Sequence, residues 1–326
     1  MSFHHALSSI LQRHTLAAFI VSSGAALLTG CGGSSSSTVG GAETVSINIP
    51  FTAVAGNTEI TCQEDIPSLG STGTAVRFTD FRFYVHDIKL ITDEGQEIAV
   101  VMDASEPGQN AQVALLDFRD TLGCSEGTAA NPNYKNSVSA TVSLSPELVI
   151  AKVRFTLGVP ATLNHAPPSS AEEPLRDPGL ASGMSWGWQN GYKFTGLDVE
   201  PVAGVSRPGN PSWSSLKWSA HLGNTGCTYD RQALEQGADQ ECPSNNRPTI
   251  TLSLGGRQLG KDAAIKIDYA QLVSDSDLST DEAYASGCMS KADDPECESI
   301  FIKFGLPWGS VEAAEQAVFS IIEQQL

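Results

Sequence analysis

Alternation of apolar and polar residues, with a period of two, runs through much of the chain. In residues 45–53 every odd position is apolar, and residues 149–157 repeat this pattern. Such alternation is typical of antiparallel strands with one buried face. Further candidate strands occupy residues 76–90, 139–144, 192–199, 249–254 and 264–269. The pattern therefore predicts about eight strands in an all-β fold, an antiparallel β-sandwich with long loops.

Helical periodicity is scarce, and its best example is at the C-terminus. Ser310 is a suitable N-cap for a segment with one apolar stripe. The stripe consists of Val311, Ala314, Val318, Ile321 and Ile322. We therefore predict a short C-terminal helix at the end of a single domain that spans residues 44–326.

A proline-rich segment separates two of the predicted strands. Its prolines are Pro160, Pro167, Pro168, Pro174 and Pro178. Proline lacks the backbone donor that a helix interior or a central strand needs, so neither element can run through residues 160–183. Aromatic residues are dense where the segment ends, and we expect this long loop to fold back onto the body of the domain.

The N-terminus has the features of an exported lipoprotein. After Arg13, the apolar run Leu16–Leu28 is too short to span a bilayer but suits a signal peptide, which we assign to residues 1–30. Leu28-Thr29-Gly30-Cys31 resembles the bacterial lipoprotein signal-peptidase box, which implies cleavage before Cys31 and attachment of lipid to its sulfur. No acidic residue follows Cys31 directly, so we expect sorting to the outer membrane. Residues 31–43, with four consecutive serines, are predicted to be a flexible tether.

Composition and charge limit the classes of function. The chain is 40% hydrophobic and 17% charged, which excludes a disordered or polytopic membrane protein. It carries 19 Lys and Arg against 37 Asp and Glu, a net charge of −18. Such a surface repels phosphate backbones and excludes nucleic-acid binding, whereas a metal ion remains compatible with it.

Cysteine usage agrees with export. Beyond Cys31, the chain holds Cys62, Cys124, Cys227, Cys242, Cys288 and Cys297. An even number in an oxidising compartment predicts three disulfides, although six cysteines permit fifteen pairings. Short separations favour two local pairs, 227–242 and 288–297, which leaves residue 62 for residue 124. The absence of a C-x-x-C motif argues against a zinc ribbon or a thioredoxin-like site.

Three histidines remain after the signal peptide: His86, His165 and His221. Each lies at a predicted strand end or loop start beside aromatic residues. Neutral imidazole is a good copper ligand. The spacing alone does not distinguish a metal site from histidines that form structural hydrogen bonds.

An ordered set of motifs resembles the MbnP family. The motifs are residues 80–87 (DFRFYVHD), 157–160 (LGVP) with 164–165 (NH), 186–194 (WGWQNGYKF), 221–227 (HLGNTGC) and 288–297 (CMSKADDPEC). This resemblance covers roughly residues 45–306 and is far more specific than any single motif. It implies an exported protein that pairs with a di-haem, MauG-like cytochrome c peroxidase, which oxidises a tryptophan of its partner to kynurenine.

The resemblance also implies a copper site. It makes His86, His165 and His221 candidate ligands, and Trp186 or Trp188 the candidate kynurenine precursor. A few imidazoles with one weak additional donor favour Cu(I). An indole nitrogen can only donate a hydrogen bond, whereas the aromatic amine of kynurenine has a lone pair. Oxidation would therefore convert an inert side chain into a ligand for a protein of copper acquisition, storage or delivery.

Two other classes of function compete with copper binding. Gly183–Gly187 fits G-x-S-x-G, and Asp198 and His221 follow in hydrolase order. That motif requires a buried strand before the serine and a helix after it, which the surrounding pattern does not predict. We therefore predict that the chain is not an enzyme. The remaining alternative is a lipoprotein that binds a carbohydrate or a protein partner through exposed tryptophans, without a metal.

Overall fold

The computed structural model describes residues 42–124, 131–187, 190–227, 242 and 245–324. The predicted signal peptide, Cys31, nearly all of the predicted tether and Trp188 lie outside these ranges. The chain divides into two units, Met1–Val39 and Gly40–Leu326, and the described residues belong to the second. No helix in the described ranges is long and apolar enough to cross a bilayer.

Strands dominate the described chain. They are β1 (Glu43–Ala55), β2 (Thr58–Glu59), β3 (Ile66–Leu69), β4 (Thr74–Thr92), β5 (Glu97–Ala99), β6 (Val101–Met102), β7 (Val113–Asp117), β8 (Ser137–Leu144), β9 (Ile150–Leu157), β10 (Thr195–Pro201), β11 (Val205–Ser206), β12 (Ser214–Ser215), β13 (Trp218–Ala220), β14 (Thr249–Ser253), β15 (Ala263–Asp268), β16 (Gly287–Cys288) and β17 (Phe319–Glu323). The helices are short: α1 (Ala161–Asn164), α2 (Tyr269–Leu272), α3 (Cys297–Lys303) and a 3-10 turn (Pro168–Ser170).

Two large sheets contain most of these strands. One has six strands in the order β17-β15-β1-β8-β6, with β2 paired to β1. The other has nine, in the order β14-β9-β4-β10-β13-β16, with β3, β5 and β7 also paired to β4. Most pairs are antiparallel, but β1 pairs with β15 and β13 with β16 in parallel. The predicted all-β class is confirmed, with mixed sheets in place of purely antiparallel ones.

An aromatic cluster fills the space between the two sheets. Phe51 of β1 lies 5.8 Å from Phe83 of β4 and 5.7 Å from Phe155 of β9, between ring centroids. Phe319 of β17 contacts the same two rings, at 5.9 and 5.3 Å. These rings come from both sheets and meet edge to face, an arrangement that adds to the stabilisation from burial itself. The alternation seen in the sequence therefore corresponds to one buried face on each sheet.

The predicted C-terminal helix is wrong. Residues 319–323 form β17, which pairs with β15 so that Phe319 faces Ile267 and Glu323 faces Ala263. This pairing gives the strand backbone its hydrogen bonds and directs the Phe319 ring into the core. The short helix near the C-terminus lies earlier, in α3.

The proline-rich segment folds back onto the nine-stranded sheet, as predicted. It contains only α1 and a 3-10 turn, and it covers the face opposite the core. Three side chains that lie under the segment donate hydrogen bonds to its backbone carbonyls. Tyr84 Oη donates to Pro174 O (3.2 Å), Tyr192 Oη to Leu175 O (2.7 Å) and Arg82 Nη1 to Ser182 O (2.9 Å). On β4, Phe81 and Phe83 point toward the core. The residues that alternate with them point to the opposite, covered side of the sheet, which we call the outer face.

All three predicted disulfides are present. Cys62 is bonded to Cys124, Cys227 to Cys242, and Cys288 to Cys297. The two shorter pairs close local loops of the kind that the sequence separations indicate.

Candidate metal centre

His86 lies on the outer face of β4, where β9 leads into the start of the proline-rich loop. Its Nδ1 is 2.8 Å from the carbonyl oxygen of Gly158. A carbonyl only accepts hydrogen bonds, so Nδ1 carries the proton and donates it, and Nε2 holds the lone pair. Burial lowers the pKa of His86, which keeps the ring neutral at physiological pH. The side chain is therefore in the protonation state that a metal ligand requires.

His165 follows α1 and is buried. Its Nε2 lies 3.2 Å from Asn164 Nδ2 and 3.4 Å from Cys242 Sγ. Asn164 is fixed in turn, because its Oδ1 accepts a hydrogen bond from the Tyr192 backbone N–H at 3.0 Å. An amide nitrogen donates, so the Nε2 of His165 accepts this hydrogen bond, and the same nitrogen lies close to the sulfur.

His221 follows β13 and is buried, with Nε2 only 2.6 Å from Asp198 Oδ1. Burial alone would raise the pKa of Asp198, but its interactions with His221, Ser219 and Lys217 outweigh this effect and bring the pKa to about 2. The ionised carboxylate therefore accepts the Nε2 proton. Nδ1 is buried and has no hydrogen-bond partner among the described residues. A carboxylate that orients an imidazole whose other nitrogen is unpaired is the arrangement found around metal-bound histidines.

A β-bulge places His221 beside the end of the proline-rich loop. Leu197 of β10 faces Ala220, whereas the Phe194 N–H donates to Leu222 O at 2.6 Å. Two residues of one strand, Thr195 and Gly196, therefore face the single residue His221. Bulges of this kind change the direction of the local side chains.

Two side chains that directly follow the proline-rich loop in sequence, Met184 and Trp186, lie over glycines next to His221. An added Cβ on Gly196 would come within 2.6 Å of Met184 Sδ, and one on Gly223 would come within 2.9 Å of Trp186 Cη2. Gly196 faces His221 across the bulge, and Gly223 lies two residues beyond His221 in the chain. Alternate residues of an extended chain share a face, so the thioether and the indole lie on the same side as the imidazole. Glycine is required at both positions because any side chain would displace these groups.

The structure does not gather the three histidines into one coordination sphere. Phe194 lies opposite Leu222 across the bulge and accepts a hydrogen bond from the Tyr84 N–H, so His86 lies two strands across and three residues further along than His221. At about 4.8 Å per strand and about 3.3 Å per residue, their Cα atoms are roughly 14 Å apart. One ion cannot bridge that gap. The assignment of each histidine as a ligand stays a prediction, with His86 and His221 in different environments.

His165 has neighbours of another kind. In the described ranges, one group of three potential ligands has all its ligand atoms within 4.8 Å of one another, and it consists of His165, Cys227 and Cys242. A cavity of about 140 Å³ adjoins it. The cavity is lined by Ala161, His165, Asn224, Cys242, Asn245 and Arg247.

Sequence reasoning missed the neighbours of His221. Asp198 drew attention only as a hydrolase residue and Met184 not at all, because their proximity depends on strand register and on how the loop folds back. The hydrolase motif itself lacks its required geometry. Ser185 forms a β-bridge with Tyr192 in a hairpin, not a strand-to-helix elbow, and its Oγ accepts a hydrogen bond from the Gly187 N–H at 2.9 Å.

These features define a disulfide-bonded β-sandwich with candidate metal ligands on one sheet face, under a proline-rich loop. The MbnP family model matches residues 44–290, so the chain belongs to the MbnP family, as its motifs predicted. A solved structure, MbnP from Methylosinus trichosporium, matches with a TM-score of 0.72 and 27% sequence identity, over 87% of this chain and 100% of that chain. Among curated proteins, no sequence matches.

Proposed function

We propose that this protein binds copper as Cu(I), and that His221 is a central ligand. The observation that carries the proposal is the buried, unpaired Nδ1 of His221, whose ring is oriented by the ionised Asp198. An isolated buried nitrogen without a partner is unfavourable, so its retention in this position supports a role as a donor to a ligand. Membership of the MbnP family supports copper as that ligand.

The donors around His221 suit a soft ion. Met184 is fully buried, and its thioether lies against the backbone that faces His221. Imidazole and thioether together favour Cu(I) over harder cations such as Mg²⁺ or Ca²⁺. Bound there, copper would be held in its reduced state and shielded from solvent by the proline-rich loop. The residues of this chain supply the orientation of the imidazole through Asp198 and the exclusion of water.

Trp186 is a kynurenine precursor that fits this site, because its ring packs over Gly223 and is half-buried. Trp188, the other candidate, lies outside the described residues. In the proposed maturation a di-haem, MauG-like peroxidase oxidises the indole. Peroxide is the oxidant and is reduced to water, the indole ring is cleaved, and its C2 leaves as formate. The side chain thereby loses one carbon, gains one oxygen and exposes an aromatic amine. That amine has a lone pair on the same side of the strand as His221 and adds a further donor.

The site is proposed to act at a membrane surface. The lipoprotein box before Cys31 supports attachment to the outer membrane through lipid, with the described domain held by the serine-rich tether. The negative net charge supports attraction of cations to the domain. A protein of this kind would serve copper acquisition, storage or delivery, and would be a substrate of the peroxidase and not itself a catalyst.

The alternative, a metal-free lipoprotein that binds partners through exposed tryptophans, receives little support from the described residues. Trp218 is fully buried, and Trp308 packs against Phe301 at 4.8 Å between centroids. Trp213 lies under the guanidinium of Arg207, 3.9 Å from its centroid. Of the described tryptophans, Trp218 is therefore buried and Trp186, Trp213 and Trp308 are half-buried, so none is fully exposed.

Copper content and intact mass of the protein from its native host test the proposal. We expect bound copper, a mass that corresponds to one tryptophan converted to kynurenine, and a near-ultraviolet band that tryptophan lacks. The variant His221→Ala should lose tight Cu(I) binding and keep its circular dichroism spectrum. Asn190→Ala, at the exposed tip of the hairpin that carries Trp186, is the control. Unchanged Cu(I) affinity in the His221 variant would falsify the assignment, and copper-free, unmodified native protein would favour the metal-free alternative.

A further inference from the structure

The cluster of His165, Cys227 and Cys242 has a different donor set from that around His221. The ligand atoms of all three residues lie within 4.8 Å of one another. The two cysteines form a disulfide, in which sulfur is neutral and a weak ligand. Thiolate sulfur, in contrast, is among the strongest protein ligands for soft metals. The geometry of a metal site is therefore present, but the disulfide holds its two strongest donors in an inactive form.

We propose that reduction of the Cys227–Cys242 disulfide opens a second soft-metal site, in which two thiolates and the His165 imidazole bind Cu(I). The reductant is a dithiol. Its two sulfurs form a disulfide as the Cys227–Cys242 bond breaks, so two electrons and two protons pass to the protein. Cu(I) then displaces the two thiol protons, and the resulting complex of one cation with two thiolates carries one negative charge.

The imidazole is already oriented toward this role. Asn164 Nδ2 donates to His165 Nε2, which fixes the tautomer with the lone pair on Nε2, and this nitrogen is 3.4 Å from Cys242 Sγ. Asn164 is itself held by the Tyr192 backbone at 3.0 Å. A metal that binds Nε2 would replace the hydrogen bond from Asn164, at a nitrogen that already lies beside the sulfur.

The cavity beside the cluster supplies access and charge. It has a volume of about 140 Å³, and both His165 and Cys242 line it. That space is enough for several waters or a small ion. Arg247 forms another part of the wall, and its positive charge favours thiolates over thiols and offsets the negative charge of the complex. Its Nε is fixed by the carbonyl of Val159 at 2.5 Å.

This disulfide is the most accessible of the three. Both of its cysteines are half-buried, whereas Cys288 and Cys297 are fully buried, and in the remaining pair Cys62 is buried and Cys124 is half-buried. Among the described residues, neither of the other disulfides belongs to a cluster of three potential ligands. A dithiol should therefore react first at the pair whose reduction creates a site.

Cu(I) titration of the full-length protein against a chromophoric Cu(I) chelator tests the proposal. The protein is compared before and after treatment with dithiothreitol and anaerobic removal of the reagent. We expect one additional equivalent of Cu(I) after reduction, with a thiolate-to-copper absorption band in the near ultraviolet and two titratable thiols. The double variant C227S/C242S should lose the additional equivalent, and His165→Ala should weaken it at least tenfold.

Two controls separate this site from the proposed function. His221→Ala should keep the reduction-dependent equivalent, even where it abolishes binding to the oxidised protein. His86→Ala, which removes an imidazole without a cysteine neighbour, should change neither the additional equivalent nor the band. If the double variant does not fold, His165→Ala decides, because it retains every cysteine. The proposal is overturned if reduced protein binds no additional Cu(I), if the additional copper persists in C227S/C242S, or if His165→Ala leaves its affinity unchanged.

Discussion

The hydrogen bond between Asp198 and His221 provides the sharpest test of the site. Replacing Asp198 with Asn keeps the shape of the side chain and removes its charge. The His221 ring then loses the ionised acceptor that lies 2.6 Å from its Nε2. We expect two measurable losses, one in the affinity for Cu(I) and one in the stability of the fold.

The magnitude of each loss follows from the structure. The pKa of Asp198 falls from 3.8 to about 2 in the folded protein, so its ionised form stabilises the fold by about 2 kcal/mol at neutral pH. When folding lowers the pKa of a carboxyl group, its full contribution to the stability of the fold is present above the pKa of the unfolded state. This contribution is lost as the pH falls through the pKa of the folded state. The difference between wild type and D198N should therefore shrink as the pH is lowered from about 4 to about 2. Loss of an outer partner of a metal-bound histidine typically weakens metal binding by about 10- to 100-fold.

Urea unfolding across this pH range measures the first effect, and competition for Cu(I) at neutral pH measures the second. The control is Asp87→Asn. Asp87 is largely exposed and has φ of 48°, a left-handed conformation that Asn adopts readily, so the variant removes a carboxylate without strain. A D198N protein with wild-type stability at neutral pH and wild-type Cu(I) affinity would refute the reasoning. Equal losses in D198N and the control would show a general effect of charge.

Three further substitutions test other parts of the structure. Gly223→Ala should displace the Trp186 ring and destabilise the fold by about 1–3 kcal/mol, visible in chemical unfolding and near-ultraviolet circular dichroism; unchanged spectra would contradict the packing described. Trp186→Phe, isolated from the native host, should lack the kynurenine band, and persistence of the band would point to Trp188. Phe319→Ala should cost about 3–5 kcal/mol in urea unfolding, since β17 contributes this ring to the core; a cost under about 1 kcal/mol would count against the core position of β17.

The strands could be predicted because one face of each is buried. Alternation over residues 45–53 and 149–157 reports that burial directly, and β1 and β9 formed where it was seen. The apolar pattern of residues 311–322 was ambiguous. Apolar residues at a helical spacing also occur in a segment of which only one part forms a β-strand, as residues 319–323 do here. The core contacts of Phe319 decided for a strand, and sequence spacing does not contain them.

The site was harder to predict than the fold. Local disulfides follow from short separations, and all three pairings were confirmed. The relation between His86 and His221 depends on how β10 lies between their strands, and a bulge shifts that register. The partners of His221, Asp198 and Met184, come from different segments, so no local pattern in the sequence joins them to it.

The attachment of the proline-rich loop has a consequence for how its sequence can vary. Tyr84, Tyr192 and Arg82 each donate a hydrogen bond to a backbone carbonyl oxygen of the loop. The acceptors are the carbonyls of Pro174, Leu175 and Ser182. Every amino acid has a backbone carbonyl, so substitutions along the segment preserve the three hydrogen bonds as long as the backbone conformation is unchanged. The donors below have no such freedom, because a phenol or a guanidinium has no backbone substitute. The exposed side chains of the proline-rich loop can therefore vary while the outer face beneath it stays shielded from solvent.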